Sequence, residues 1–440
     1  MECHFVPRSF SHYFWTIYMI SINEIRRNPN NIKEALFKKG ELIDIDHIIQ
    51  LDESHRKVQF SLDEKRAERN RVSDEIGLTK KEGGNADEAI EDMRKVGNDI
   101  KSLEEEENTL KESLLHILLR LPNLPHESVP EGKDETANVE IRQWGKKPNY
   151  SFDPKTHTDL GESLNLFDFK RSSKLSGSGF PLYIGLGAKL ERALLSFMLD
   201  HHIEEYGCTE IFPPVLLRRS AMTTTGQLPK FEEDMYHTKV DDLYLAPTAE
   251  VPVTNIYRDE IIDEKDLPIN LVAYSPCFRR EAGSYGKDTR GLLRVHQFNK
   301  VELVKFVTPE SSYNELESLT RQAESILQAL GLHYRVLSLS TGDLSFSAAK
   351  CYDIEVWAPG EGKWLEVSSC SNFESFQARR GEIRYRSEET RKVDYLHTLN
   401  GSGVATPRLF VALIETYQQE DGSILFPDDV ADYLGIKEIC

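Results

Sequence analysis

The sequence predicts an α+β protein in two parts: an N-terminal antiparallel helical coiled-coil arm, then a larger domain on a mostly antiparallel β-sheet with flanking helices. Three observations carry this reading. Apolar residues recur at alternating three- and four-residue steps through 93–121. A Glu-Gly-Gly-Asn turn at 82–85 separates that stripe from a second charged helical segment. Beyond Pro122 the pattern changes to short β-rich runs with a few helices between them, the signature of an α+β domain.

Taken in order, residues 22–40 hold a short helical pattern that Gly40 would stop. In the long stripe, Met93, Val96, Ile100, Leu103, Glu107, Leu110, Leu114, Ile117 and Leu121 form a heptad seam in which only Glu107 is polar. The segment before the turn offers Val58, Leu62, Lys65, Arg69, Val72 and Ile76 at the same steps, with a weaker middle. Two such helices joined by a tight turn fold back on each other. Basic residues from Arg56 to Lys81 crowd the first helix, and 104–107 of the second is all glutamate. Such faces are usually solvated and salt-bridged, and a basic one can also meet an RNA backbone. Prolines at 122, 125, 130 and 148 punctuate a polar stretch, so 122–150 reads as a linker. Strands are expected at 243–246, 271–275, 301–306, 334–339, 352–358 and 364–368, and helices at 186–206 and 311–330.

Composition excludes several classes. The chain has 440 residues, 39% hydrophobic and 29% charged, which suits a soluble protein of two or three domains. Its net charge of −19 argues mildly against nucleic acid, although a local basic face counts for more than the sum. Six cysteines lie far apart without a C-x-x-C pair, so neither a disulfide framework nor a zinc ribbon is expected, and reduced thiols in a cytoplasmic protein are. No run of 18 apolar residues could span a membrane. Residues 10–22 are aromatic and mildly hydrophobic, with polar interruptions and no small-residue cleavage site for a targeting peptide.

The common phosphate-binding and hydrolase signatures fail. There is no G-x-x-x-x-G-K-[ST], no H-E-x-x-H and no G-x-S-x-G elbow. A different arrangement stands out. Phe278-Arg279-Arg280-Glu281 follows an expected strand, a polar glycine-rich loop runs through 283–291, and a second strand returns through Arg294 to Val301-Glu302. Arginine's planar fork suits phosphate or carboxylate, and glutamate suits an ammonium or hydroxyl. Alone, such a unit is equally well a surface hairpin with ion pairs.

Three blocks in order narrow the reading. Phe278 to Glu302 resembles motif 2 of the class II aminoacyl-tRNA synthetases. Asn400-Gly401-Ser402-Gly403-Val404-Ala405-Thr406-Pro407-Arg408, running into an apolar helix, resembles motif 3, and the helix from Leu186 to a strand ending at Pro213-Pro214 looks like motif 1. Thr248-Ala249-Glu250, Thr225 to Phe231 and Glu366-Val367-Ser368-Ser369 resemble blocks of the seryl-tRNA synthetase family, of the bacterial or organellar type. The resemblance covers nearly the whole chain from Met19 and implies these domains: 1–18 an extra N-terminal extension, 19–121 a tRNA-binding helical domain with the coiled-coil arm, 122–150 a linker, and 151–440 the catalytic domain. Met19 is expected to be the true start.

The resemblance further implies ATP-dependent activation of L-serine and transfer to tRNA(Ser), with tRNA(Sec) a further substrate where the organism has it. The cofactors it implies are ATP and Mg2+, with no zinc, and the assembly a cytoplasmic homodimer. Arg279 would bridge the serine carboxylate and the α-phosphate. Arg280, Glu281, Val295 and Phe298 would hold the nucleotide, with Phe298 stacked on the base, and Arg408 would cover its other face and reach the γ-phosphate. Glu366, Val367, Ser368 and Ser369 would also line the ATP, Glu366 and Ser369 binding Mg2+. Thr248, Ala249 and Glu250 would surround serine, and Glu302 and Ser402 would read its hydroxyl. Singly, Thr248, Ser369 and Ser402 are more often turn or cap residues. A threonyl- or prolyl-type ligase, a homologue loading a carrier protein, and a non-catalytic RNA-binding scaffold are the rival readings.

Overall fold

A computed structural model describes residues 22–282 and 290–440. The expected extension at 1–18 and most of the loop at 283–291 therefore lie outside the described residues. The described chain divides into two compact units, one of residues 22–37 and 41–121, the other of 38–40 and 122–440.

The smaller unit is helical: α1 (Ile22–Arg27), α2 (Pro29–Lys38), α3 (Ile45–Lys81) and α4 (Asp87–Leu118). Asp44 caps α3 by accepting from the His47 N–H. The turn at 82–86 uses Gly83 at φ +77°, a conformation that costs glycine little. His55 lies 3.8 Å from Glu107, Leu62 packs with Val96 and Ile100, and Lys65 pairs with Asp99 at 3.3 Å, so partners fall as α3 advances and the two long helices run antiparallel. Val96, Ile100, Leu114 and Leu121 of the predicted seam are buried. On α3 the seam departs from the sequence reading. Arg69 is exposed. Towards its start the seam continues through Ile45, Ile48, Asp52 and His55, all buried. Asp52 is buried because Arg26 grips both its oxygens, at 2.7 and 2.5 Å, and Arg56 adds a third contact at 3.1 Å. Polar residues carry no periodic signal, which is why this part of the seam was not legible.

The larger unit is organised by eight strands: β1 (Val139–Trp144), β2 (Thr209–Ile211), β3 (Ile269–Phe278), β4 (Gln297–Val307), β5 (Tyr334–Ser338), β6 (Lys350–Ala358), β7 (Lys363–Asn372) and β8 (His397–Ala405). Their order is β1-β5-β6-β7-β8-β4-β3-β2. Every pair is antiparallel except β2–β3. Residues 122–150, expected as a linker, belong to this unit. Asn123 and His126 donate backbone bonds of 2.9 Å to Phe346 and Ala349, and 139–144 forms the edge strand. Its alternation, Val139-Glu140-Ile141-Arg142, is only four residues long, and its apolar members stay exposed at the sheet edge, so the signal was too short to mark it.

The pleat of the central strands separates two faces. On β4, Val301, Leu303 and Val307 join the main core with α5 (Gly185–Tyr206), α6 (Ser312–Ala329) and α7 (Thr406–Thr416). Phe298, Lys300 and Glu302 alternate with these residues and take the opposite face. The candidate chemistry lies on that face.

Candidate active site

A cavity of about 530 Å3 opens on this face, within the range usual for small-ligand sites. Thr248, Glu250, Arg279, Glu281, Val295, Phe298, Glu366, Val367, Ser369, Ser402 and Arg408 line it, so residues 160 positions apart in sequence meet here. Four of the expected residues do not line it. Ala249 is fully buried beneath the wall. Arg280 is exposed and donates to the Glu233 carbonyl at 2.9 Å. Ser368 is buried and donates to the Ser402 carbonyl at 2.6 Å, tying β7 to β8 beside the bulge at Gly403. Glu302 is fully buried one layer behind the wall.

Glu302 organises one end. It faces Ser402 across the β4–β8 ladder. One oxygen accepts from Thr248 Oγ1 at 2.5 Å and from the Lys300 ammonium, the other from Asn400 Nδ2 at 3.0 Å. A buried carboxylate is tolerable only with such compensation. Glu250 begins a one-turn helix on the same wall and accepts from Gln377 Nε2 at 2.6 Å. Burial, reinforced by the charge of Glu302, pushes its carboxyl up to about 7. Thr248 Oγ1 also accepts the Glu250 N–H at 3.2 Å, so it is a cap as well as a wall residue.

Two arginines mark the rest. Arg279 donates from Nε to the Pro247 carbonyl at 3.3 Å and lies 5.3 Å above the Phe298 ring. Among the described residues it makes no ion pair. Arg408, in the first turn of α7, donates from Nε to the Leu293 carbonyl at 3.2 Å and from Nη1 to the Glu366 carbonyl at 2.8 Å. Pro407 sits where a helix needs no N–H, so the Thr-Pro pair before Arg408 fits the helix start. Beside Arg408, Ser369 and Glu366 present oxygen donors. Burial, with Glu366 opposite, holds the Asp353 carboxyl well above the usual carboxylate range.

Residues 230–417 match the tRNA synthetase class II core domain (G, H, P, S and T), and residues 19–125 match the seryl-tRNA synthetase N-terminal domain. The serine–tRNA ligase of Carboxydothermus hydrogenoformans is 53% identical over 96% of this chain and 99% of its own. The chain belongs to the seryl-tRNA synthetase family. Among solved structures, the seryl-tRNA synthetase of Pyrococcus horikoshii complexed with ATP aligns with a TM-score of 0.87 and 42% identity, covering 95% of this chain and 98% of that one. The cytoplasmic serine–tRNA ligase of Naegleria fowleri in complex with AMP gives 0.81 at 27% identity, covering 96% and 98%. The α+β fold predicted from sequence is thus that of class II seryl-tRNA synthetases.

Some residues of this synthetase's cavity were not singled out from sequence. Lys300 and Asn400 complete the Glu302 network, and Ser345, Phe346, Ser347 and Ser371 line the wall. Lys300 had a usable signal, since it stands two residues before Glu302 on one strand and must share its face. Asn400 opens the block that resembles motif 3 but was given no role, because Asn-Gly-Ser-Gly reads as a turn although it lies in a central strand. Five cysteines among the described residues are free thiols, four of them buried. No helix among the described residues is long and apolar enough to cross a membrane.

Proposed function

We propose that the protein activates L-serine with ATP to seryl-adenylate and diphosphate, then passes the seryl group to the 3′-terminal ribose of tRNA(Ser), releasing AMP. The observation that supports it best is one cavity with buried carboxylates and hydroxyls at the Glu250–Glu302 end and two arginines along the rest. Among the described residues, none that line it is a histidine or cysteine. That suits a reaction in which the substrate's own carboxylate attacks phosphorus and the protein positions and neutralises charge.

In this reading Arg279, steadied by Pro247 and Phe298, clamps the serine carboxylate against the α-phosphate. Phe298 stacks on the adenine, Glu281 and Val295 border it, and Arg408 reaches the γ-phosphate. Thr248 and Glu250 meet the serine amino group. Ser402 and, through the Thr248 hydroxyl and Asn400 amide, Glu302 read the serine hydroxyl. Alanine would leave those buried groups unpaired, a steep penalty. Glu366 and Ser369, with Asp353 behind them, are hard oxygen donors that fit Mg2+. Bound there, the ion would offset negative charge on the phosphates. The helical hairpin meets tRNA with its basic side, the assembly is a cytoplasmic homodimer through the 186–214 region, and tRNA(Sec) is a further substrate where present.

Serine-dependent ATP–diphosphate exchange tests this, with alanine, threonine and cysteine as controls. Exchange with serine alone is expected. Folded protein with Mg2+ that shows no exchange would overturn the activation step, and exchange without charging of tRNA(Ser) would overturn the transfer.

A further inference from the structure

We propose that His157 is a positioning residue for the nucleotide end of the cavity, locked in one tautomer so that its ring fixes the backbone at Leu292. His157 opens a short helix at His157–Ser163 and is fully buried. Its Nε2 lies 3.1 Å from the Leu292 backbone nitrogen. An amide N–H can only donate, so Nε2 accepts, and the proton of the neutral ring sits on Nδ1. Nδ1 faces Glu361 Oε1 at 2.9 Å, with Glu415 Oε1 at 3.5 Å.

Glu415 completes the node. It accepts the His157 N–H at 2.7 Å through one oxygen and those of Gly360 and Glu361, at 2.9 and 3.1 Å, through the other. The ligand-type atoms of His157, Glu361 and Glu415 lie within 4.8 Å of one another. Both ring nitrogens and both Glu415 oxygens already have hydrogen-bond partners, so the group serves as a polar anchor rather than a metal site. The packing agrees. A Cβ at Gly291 would come within 2.1 Å of His157 Nε2, and Gly291 itself sits at φ +61°.

The consequence reaches the cavity. Leu292 lines it, and the next carbonyl, of Leu293, holds Arg408 Nε. Glu415 lies two turns along the same helix as Arg408. His157 thus ties Leu292–Leu293 to α7 and sets the surface against which Arg408 is oriented. This rests on assigning the Arg408 end to ATP.

Two variants separate positioning from folding. His157→Gln can keep an acceptor near the Nε2 position, and His157→Asn can keep only the donor towards Glu361. In serine-dependent diphosphate exchange, H157N is expected to raise KM for ATP about tenfold, as for one lost hydrogen bond, with KM for serine changed less than about twofold. H157Q should stay within about threefold of wild type. Equal losses in both variants, parallel rises in both KM values, or no change in KM for ATP would refute the proposal. Phe298→Ala, measured alongside, tests the assignment beneath it. If F298A leaves KM for ATP unchanged, the nucleotide assignment fails and this proposal falls with it; if F298A raises KM and H157N does not, only the anchor fails.

Discussion

Replacing Glu250 by glutamine should stabilise the protein at alkaline pH far more than at acid pH. Glu250 is almost completely buried beside Glu302, and burial pushes its carboxyl up to about 7 from the usual 4.5. At about 1.4 kcal/mol per pH unit, keeping it ionised in the native state costs on the order of 3 kcal/mol. Between pH 4.5 and 7 the native state binds more protons at this site than the unfolded chain. The raised value therefore favours the native state fully below about 4.5, and that advantage is lost as pH rises through about 7. Glutamine keeps the acceptor that Gln377 uses and has nothing to ionise. Urea unfolding of both proteins from pH 4.5 to 8 should show E250Q gaining on wild type by roughly 3 kcal/mol across the window. A stability difference flat with pH would refute the reasoning. Because the charge is proposed to hold the serine ammonium, E250Q should also lose serine affinity, exchanging function for stability.

The neighbouring pair gives a second expectation. Lys300→Met strands the Glu302 charge and should cost about 3 kcal/mol or more in urea unfolding, with K300M/E302Q recovering most of it; equal losses in single and double variants would show the pair is not coupled. Arg279→Lys keeps the charge but loses the planar fork, and serine-dependent exchange should fall about 100-fold with an unchanged Tm. Activity within about threefold of wild type would remove Arg279 from the proposed clamp. Ile100→Ala, in the hairpin contact with Leu62, should destabilise the helical unit by about 2–4 kcal/mol. Hydrogen exchange should accelerate in α3 and α4 and tRNA charging should drop, while diphosphate exchange stays near wild type. Loss of diphosphate exchange would contradict the separation of the two units.

Much of the fold was legible where physics acts locally. The heptad steps through Val96, Ile100 and Leu114 marked α4, and β-rich runs marked β3 to β7, because one buried face imposes a period. Legibility failed where burial did not set the pattern. Val139–Trp144 lies at an exposed edge, His397–Ala405 is a central strand written in turn residues, and the base of α3 buries Asp52 and His55. At the candidate site, the block around Arg279 was visible because arginines and a glutamate stood together at a strand end, whereas those around Glu366 and Arg408 were legible only through the family resemblance. His157 was not, since a lone histidine carries no spacing to read.

By itself, the sequence determined the long helices, most of the buried strands and which residue types the site would hold. Only tertiary structure decided which of those residues share an environment. Glu250 is raised because the fold buries it and, second, brings the charge of Glu302, 52 positions away, close to it. Asp52 can be buried because Arg26 reaches it, and His157 becomes an anchor because Leu292 arrives at its Nε2. Periodicity is a property of neighbours along the chain. The energy of a charge depends on what surrounds it in space, and that surrounding is set by pairings no local pattern encodes.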